Sequence, residues 1–591
     1  MRVIKTKDRS KLIQAAMGKI PCDLTIGNVQ FLNVITGEIY PASVDILDGF
    51  VVLVREEGQE PVLPAKKYYD GYGRYLIPGF IDTHVHVEST MMIPENLSRA
   101  ILPWGTTTIC TDPHEIGNVM GIEGVEFMLG NAKKSKLRQY VLAPSCVPSV
   151  PGLENAGAEF GAAEIGKLLD MDNVVGIAEI MDYVGVINDT ERMHSIIEEG
   201  VKRGMFLQGH APYCTGKELA AYLIGGPVSD HESVSADEVR AKLRAGMHIN
   251  LRASSLIDSL SFLVDGCKDM PWRDFVSVCT DDVHAKDLLT VGHINKVVGK
   301  AIAAGLDGKE VIKLATLNAA REYGFADLGA IAPGYIADIQ LVDALDGSRP
   351  KAVFVEGELV AEDGKYLGGD SMGAAYDLPN TVNIPQLSGP DSFRLLVPEG
   401  YSGSTVTVNV MTPISGSRIL RHAVPTELPV KDGAVDISGD ASLCFVCCAN
   451  RYGLGSKTIA VYRDFGLLSG ALASTISHDS HNLTVCYRSA DDAWLAADTL
   501  KNCGGGVCAA DNGCETHIAL PAAGLMSQKP CAEVAQEIAD VQAAVDVISG
   551  GALTLLASAI IALPVLPSVV ITDMGLVNGA SQTFVPVFAD M

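Results

Sequence analysis

No glycine-rich G-x-G-x-x-G turn follows a strand, so nothing in the chain supports dinucleotide binding on an open, doubly wound sheet. No P-C-x-x-C occurs either. That motif is the zinc-binding half of one known base-deaminase signature, and its absence excludes that fold. Internal repeats are missing. Basic residues are few: 45 Lys and Arg stand against 71 Asp and Glu, a net charge of −26. Such a surplus disfavours nucleic acid or an anionic membrane as partner and fits an enzyme for small neutral or cationic molecules. The basic stretch at residues 1–11 lacks the apolar run of an export signal. The expectation is a cytoplasmic protein whose 14 cysteines are reduced thiols. Cys444 and Cys447 form a C-x-x-C with no second pair to complete a zinc site, so buried thiols are expected there. The apolar tract 553–571 could span a bilayer on length. Pro564 and Pro567 inside it favour buried strands and a turn instead.

The composition is that of a packed globular chain: 591 residues, 48% apolar, 20% charged. That length exceeds one ordinary core. A helical lead-in over residues 1–20 precedes short β-like runs at 22–26, 29–34, 43–46 and 50–54. Strands at 106–111, 140–144, 174–180, 205–210, 228–231, 248–252 and 275–280 then alternate with helical stretches at 124–132, 163–170, 190–203, 216–224 and 235–245. Such alternation over 74–326 predicts an α/β fold, a (β/α)8 TIM-like barrel. Residues 327–366 return to β character and are expected to join 1–73 in a composite small β-sandwich domain. A polar connector at 367–380 leads to an α+β domain over 381–591, with many short strands and one helix at 530–548.

The stretch 76–89 reads L-I-P-G-F-I-D-T-H-V-H-V-E-S. On a strand, His84 and His86 point to one face and can share a metal ion, while Val85 and Val87 pack on the other. Catalytic groups of such a barrel sit at the C-terminal strand ends. There the sequence places His84 and His86, then Glu179, His210, His231 and Asp281. Singly, each has a plainer reading as a core histidine or a helix cap; their joint placement points to a metal site.

These motifs resemble the amidohydrolase superfamily and, within it, the bacterial adenine deaminases. The resemblance rests on H-V-H-V-E-S-T-M-M at 84–92, T-T-T-I-C-T-D-P-H-E-I-G-N-V at 106–119, G-H-A-P at 209–212, S-D-H-E at 229–232 and C-T-D-D at 279–282. A-T-L-N-A-A at 315–320, G-A-I-A-P-G-Y-I-A-D at 329–338 and S-H-D-S-H-N at 477–482 extend it over nearly the whole chain. It implies two divalent metals per subunit, Mn, Fe or Zn with Mn favoured. His84 and His86 would hold one and His210 and His231 the other. Glu179 would bridge them, and Asp281 would be both ligand and proton shuttle. The implied reaction is hydrolytic deamination of adenine to hypoxanthine and ammonia in purine salvage, by a homodimer. Another aminopurine or a cyclic amide as substrate, and a non-catalytic binding relative, are the alternatives.

Three further positions bear on the substrate. Asp112-Pro113-His114-Glu115 reads either as a helix start with an acidic first turn or, by the resemblance, as His114 or Glu115 touching the purine or moving protons. Asp282 is either a cap or an acceptor for a purine N–H. Glu88 stands where related cyclic-amide hydrolases often carry Arg. An acid there suits a neutral purine and repels an anion, so Glu88 is a candidate for substrate contact and catalysis. Residues 477–482 have ligand-like composition; they read as a polar loop, an approach to the active site or an extra metal site. Val283 and Cys447-Cys448 depart from the family pattern.

Overall fold

Eight strands ring the centre of the molecule: Phe80–His86, Thr106–Thr111, Arg138–Ala143, Val174–Ile180, Phe206–Gly209, Ser229–Asp230, His248–Arg252 and Val276–Cys279. All their pairings are parallel, in chain order. Between the fifth and sixth strands, Val228 N donates to Leu207 O at 3.0 Å. The ring closes where Asp281 and Asp282 pair with Val85 and His86 of the first strand. The computed structural model describes residues 9–58, 63–255, 259–368, 376–414 and 420–589.

Local chemistry explains the alternation. The second strand, T-T-T-I-C-T, is rich in β-branched residues and wholly buried, as a strand packed on both faces should be. Helix Glu191–Arg203 opens on an acid, ends on Lys202 and Arg203, and stops at Gly204 in left-handed backbone, φ 62°. The lower barrel interior is partly polar: Asn250 Nδ2 donates to Thr83 Oγ1 at 3.0 Å and to Glu322 Oε1 at 2.9 Å.

Residues from both flanks of the barrel build one nine-stranded sheet. Its joint is Tyr75–Pro78, parallel to Cys22–Asn33 on one side and antiparallel to Ile339–Val342 on the other. The sheet folds over itself: Val51 N donates to Tyr335 O and Gly334 N to Val51 O, at 2.8 and 2.7 Å. Phe31, Val44, Leu76, Ile339 and Phe354 fill the space within. The runs expected separately at 22–26 and 29–34 are one strand. A bulge between Ile26 and Val29, with Asn28 at φ 53°, absorbs the turn residues. The lead-in helix is Arg9–Ala16; residues 1–8 lie outside the described ones.

The C-terminal part holds a second nine-stranded sheet, from Thr405–Pro413 to Cys514–Ala519. Among the described residues it carries two α-helices where the sequence predicted one. Cys531–Ser549 meets that expectation. Ala490–Cys503 is additional: Ser489 Oγ caps it by accepting from Asp492 N, and Gly504 at φ 88° ends it. Much of its buried face is alanine, too weak an apolar signal to read. Tract 553–571 is mostly turns with one strand, Val569–Thr572. Among the described residues no helix is long and apolar enough to cross a membrane. Cys444 and Cys447 are buried free thiols. This part seats on the barrel: Ser527 N donates to Met91 O at 2.7 Å, and Asn96 Nδ2 to Gln528 O at 2.9 Å.

Candidate active site at the strand ends

His84 and His86 are buried on one face of the first strand. Each Nδ1 faces an acceptor: the Gln208 side-chain carbonyl at 3.0 Å for His84, the Asp112 main-chain carbonyl at 3.1 Å for His86. An Nδ1–H donated there leaves each Nε2 as a bare lone pair. Both Nε2 atoms converge on Asp281 Oδ1, at 3.5 and 3.3 Å. Asp281 breaks the run after Cys279 with left-handed backbone, φ 59°, a conformation that Asp tolerates better than most residues. Its other oxygen accepts from Arg252 Nη1 at 2.8 Å.

Glu179 sits between the two histidine pairs. Its Oε1 is 3.5 Å from His86 Nε2; its Oε2 is 2.6 Å from His210 Nδ1 and 3.1 Å from His231 Nε2. The His231 ring stacks on His84, centroids 3.9 Å apart. Burial, and then the neighbouring His84, push the His231 imidazole down to about 4, so it stands neutral with a free lone pair. Burial pushes the Glu179 and Asp281 carboxyls up. His210 and His231 outweigh it at Glu179, and Arg252 and the first-strand histidines at Asp281, so both carboxylates stay well below their ordinary range.

This donor set fits metal. His84 Nε2 and both nitrogens of His231 are buried without hydrogen-bond partners, which apolar packing would not tolerate at low cost. Ligand atoms of His84, His231 and Asp281 lie within 4.8 Å of one another, as do those of Glu179, His210 and His231. The six strand-end residues singled out in the sequence thus come together around one centre. Nitrogen and carboxylate donors without thiolate suit first-row divalent cations.

Glu88, Glu115 and Asp282 line one side. Ser89 Oγ links two of them, donating to Glu115 Oε1 at 3.1 Å and touching Asp282 Oδ1. Glu88 Oε1 accepts from Ile116 N at 3.2 Å, and its Oε2 has no partner. Burial and the nearby Glu115 push the Glu88 carboxyl up to about 8, so it keeps its proton at neutral pH. His114 opens helix His114–Ala132, with Pro113 as an N-cap that makes no side-chain bond. Asp112 is therefore no cap; its Oδ2 lies 3.1 Å from His114 Nδ1. Residues 477–482 reach this wall: Asp479 Oδ1 is 3.5 Å from His114 Nε2, and His481 Nε2 is 3.7 Å from Glu115 Oε2.

Sequence reasoning missed Arg252, Gln208 and the destination of Asp479. Arg252 ends the seventh strand and was findable by the strand-end rule, but a search for metal ligands passes over a cation. Gln208 lies on the strand Phe206–Gly209, two residues before His210, which follows the strand's end. Asp479 lies 365 residues beyond His114, and no local pattern joins them.

Residues 75–360 match the amidohydrolase family and 418–583 the adenine deaminase C-terminal domain. Adenine deaminase 2 of Carboxydothermus hydrogenoformans is 37% identical over 98% of this chain and 99% of its own. Adenine deaminase of Klebsiella pneumoniae (strain 342) is 38% identical over 90% and 88%, and that of Methanothermobacter thermautotrophicus 38% over 86% and 89%. Similarity of this depth along both the barrel and the C-terminal sheet leaves one conclusion: the chain belongs to the adenine deaminases of the amidohydrolase family.

Proposed function

We propose that this chain hydrolyses adenine to hypoxanthine and ammonia at the strand-end site. One observation carries the reading: 37% identity over 98% of the chain to a relative named adenine deaminase. The geometry supports it. His84 and His86 would hold one divalent metal and His210 and His231 a second, with Glu179 between them and Asp281 completing the first. Manganese is the first choice. Bound there, the metals supply Lewis acidity and bring the pKa of water toward neutrality.

The residues then divide the work. Asp281 takes a proton from the attacking water and passes it to the departing amine. The bond from carbon 6 to the amino nitrogen breaks, a carbon–oxygen bond forms, and ammonia leaves. Glu88 keeps its proton and so can donate to a purine ring nitrogen, whereas Glu115 and Asp282 accept from purine N–H groups. His114 stands beside Glu115 in the same wall. The same reading includes a cytoplasmic homodimer, which light scattering on the purified protein would size.

Incubating metal-loaded protein with adenine, while following ammonia and purine absorbance, tests the activity. Release of one ammonia per hypoxanthine formed is the expected result. Absence of turnover with two equivalents of Mn²⁺ bound would overturn it.

A further inference from the structure

Beyond the strand-end pair, the geometry points to a third divalent-cation site, built by His114 of the barrel with His478 and Asp479 of the C-terminal part. Ligand atoms of these three buried residues lie within 4.8 Å of one another. His114 is 2% exposed and Asp479 1%, yet His114 Nε2 and Asp479 Oδ2 have no hydrogen-bond partner. Those two side chains aim at each other across 3.5 Å from His114 Nε2 to Asp479 Oδ1, and His478 Nδ1 lies 3.9 Å from the same oxygen.

The 3.5 Å separation of His114 from Asp479 is long for a hydrogen bond and fits two ligands of one ion, with His478 a few tenths of an ångström farther out. Bonds of about 2.0–2.2 Å to a common metal leave donors roughly 3–3.5 Å apart. The strand-end site shows the same figure, 3.5 Å between His84 Nε2 and Asp281 Oδ1. The tautomer agrees. Asp112 Oδ2 stands 3.1 Å from His114 Nδ1, so a proton held there leaves Nε2 free to bind, the carboxylate–histidine–metal arrangement. Charge agrees as well. Asp479 is a buried carboxylate whose ion-pair neighbours among the described residues are only His114 and His478, and a buried carboxylate needs compensation. Two imidazoles and one carboxylate suit Mn, Fe or Zn. A cation there would tether residues 477–482 to the start of helix His114–Ala132, fixing the wall beside Glu115.

Equilibrium dialysis of the apoprotein against Mn²⁺, with bound metal counted by mass spectrometry, tests the proposal. Three ions per wild-type chain are expected. His478→Ala and Asp479→Ala should each hold two, and His478→Gln, which keeps the bulk of the side chain, should also hold two. Saturation of wild type at two ions, or retention of three by folded variants, overturns the site. Adenine turnover measured on the same samples separates the questions. Three ions without turnover would count against the deaminase reading and leave this site standing. Two ions with full turnover would do the reverse.

Discussion

Asp281 has two oxygens with two different neighbours. Oδ1 faces the Nε2 atoms of His84 and His86, and Oδ2 is held by Arg252. Asp281→Asn keeps the shape and removes the base. Turnover should fall by about 10²–10⁴-fold, the usual worth of a positioned acid–base group, with an unchanged circular dichroism spectrum. Arg252→Gln tests the other oxygen. Burial favours the protonated Asp281 carboxyl and Arg252 opposes it, so losing the guanidinium raises the pKa. Because Asp281 must be ionised to take a proton, the acid limb of the kcat/KM profile should move to higher pH. An unmoved limb would mean that Arg252 serves packing alone. At this scale the ligands were legible because each lies at the end of a strand whose pattern is local. Arg252 and Asp479 were less so: their importance comes from which side chain they meet, and strand ends meet only once the barrel closes.

Among the barrel strands, Asp82 ties the first to the eighth. Its Oδ1 accepts from His84 N at 3.2 Å and from Thr280 N at 3.1 Å, and its Oδ2 from Thr280 Oγ1 at 2.5 Å. Complete burial pushes the Asp82 carboxyl from 3.8 up to about 7. A folded pKa above the unfolded one gives stability that is full below the unfolded value and lost as pH rises through the folded value. Wild type should therefore lose melting temperature relative to Asp82→Asn between about pH 4 and 7, after which the gap levels. A gap that does not change with pH would refute the assignment. Gly209, just before His210, tests the fifth and sixth strands. A Cβ there would sit 2.1 Å from the Ser229 carbonyl oxygen, and backbone cannot yield cheaply. Gly209→Ala should cost about 1–3 kcal/mol in urea unfolding and lower metal content, since His210 and His231 flank the spread seam. Element existence was legible here because each β/α unit carries its own periodicity. The bulged strand Cys22–Asn33 and the alanine-faced helix Ala490–Cys503 were not: one hides a strand behind turn residues, the other hides a buried face behind small ones.

The whole molecule is joined by a core that both halves share. Val85, Leu97 and Ile116 of the barrel lie in one continuous apolar cluster with Val446, Leu472 and Val541 of the C-terminal part. The same seam carries polar contacts, among them Ser527 to Met91 and Asn96 to Gln528, and it brings residues 477–482 to His114 and Glu115. Separate units joined by a linker would unfold in separate steps. A shared core means that neither half buries its apolar face without the other, so calorimetry of the full chain should give one cooperative transition. A chain ending at residue 380 would expose that seam and lose Asp479 and His481 from the wall. It should be recovered aggregated, and adding the fragment 381–591 during refolding should restore solubility and bound metal together. Two well-separated transitions, or a soluble barrel that binds metal alone, would show that the C-terminal sheet is an appendage and not part of the site.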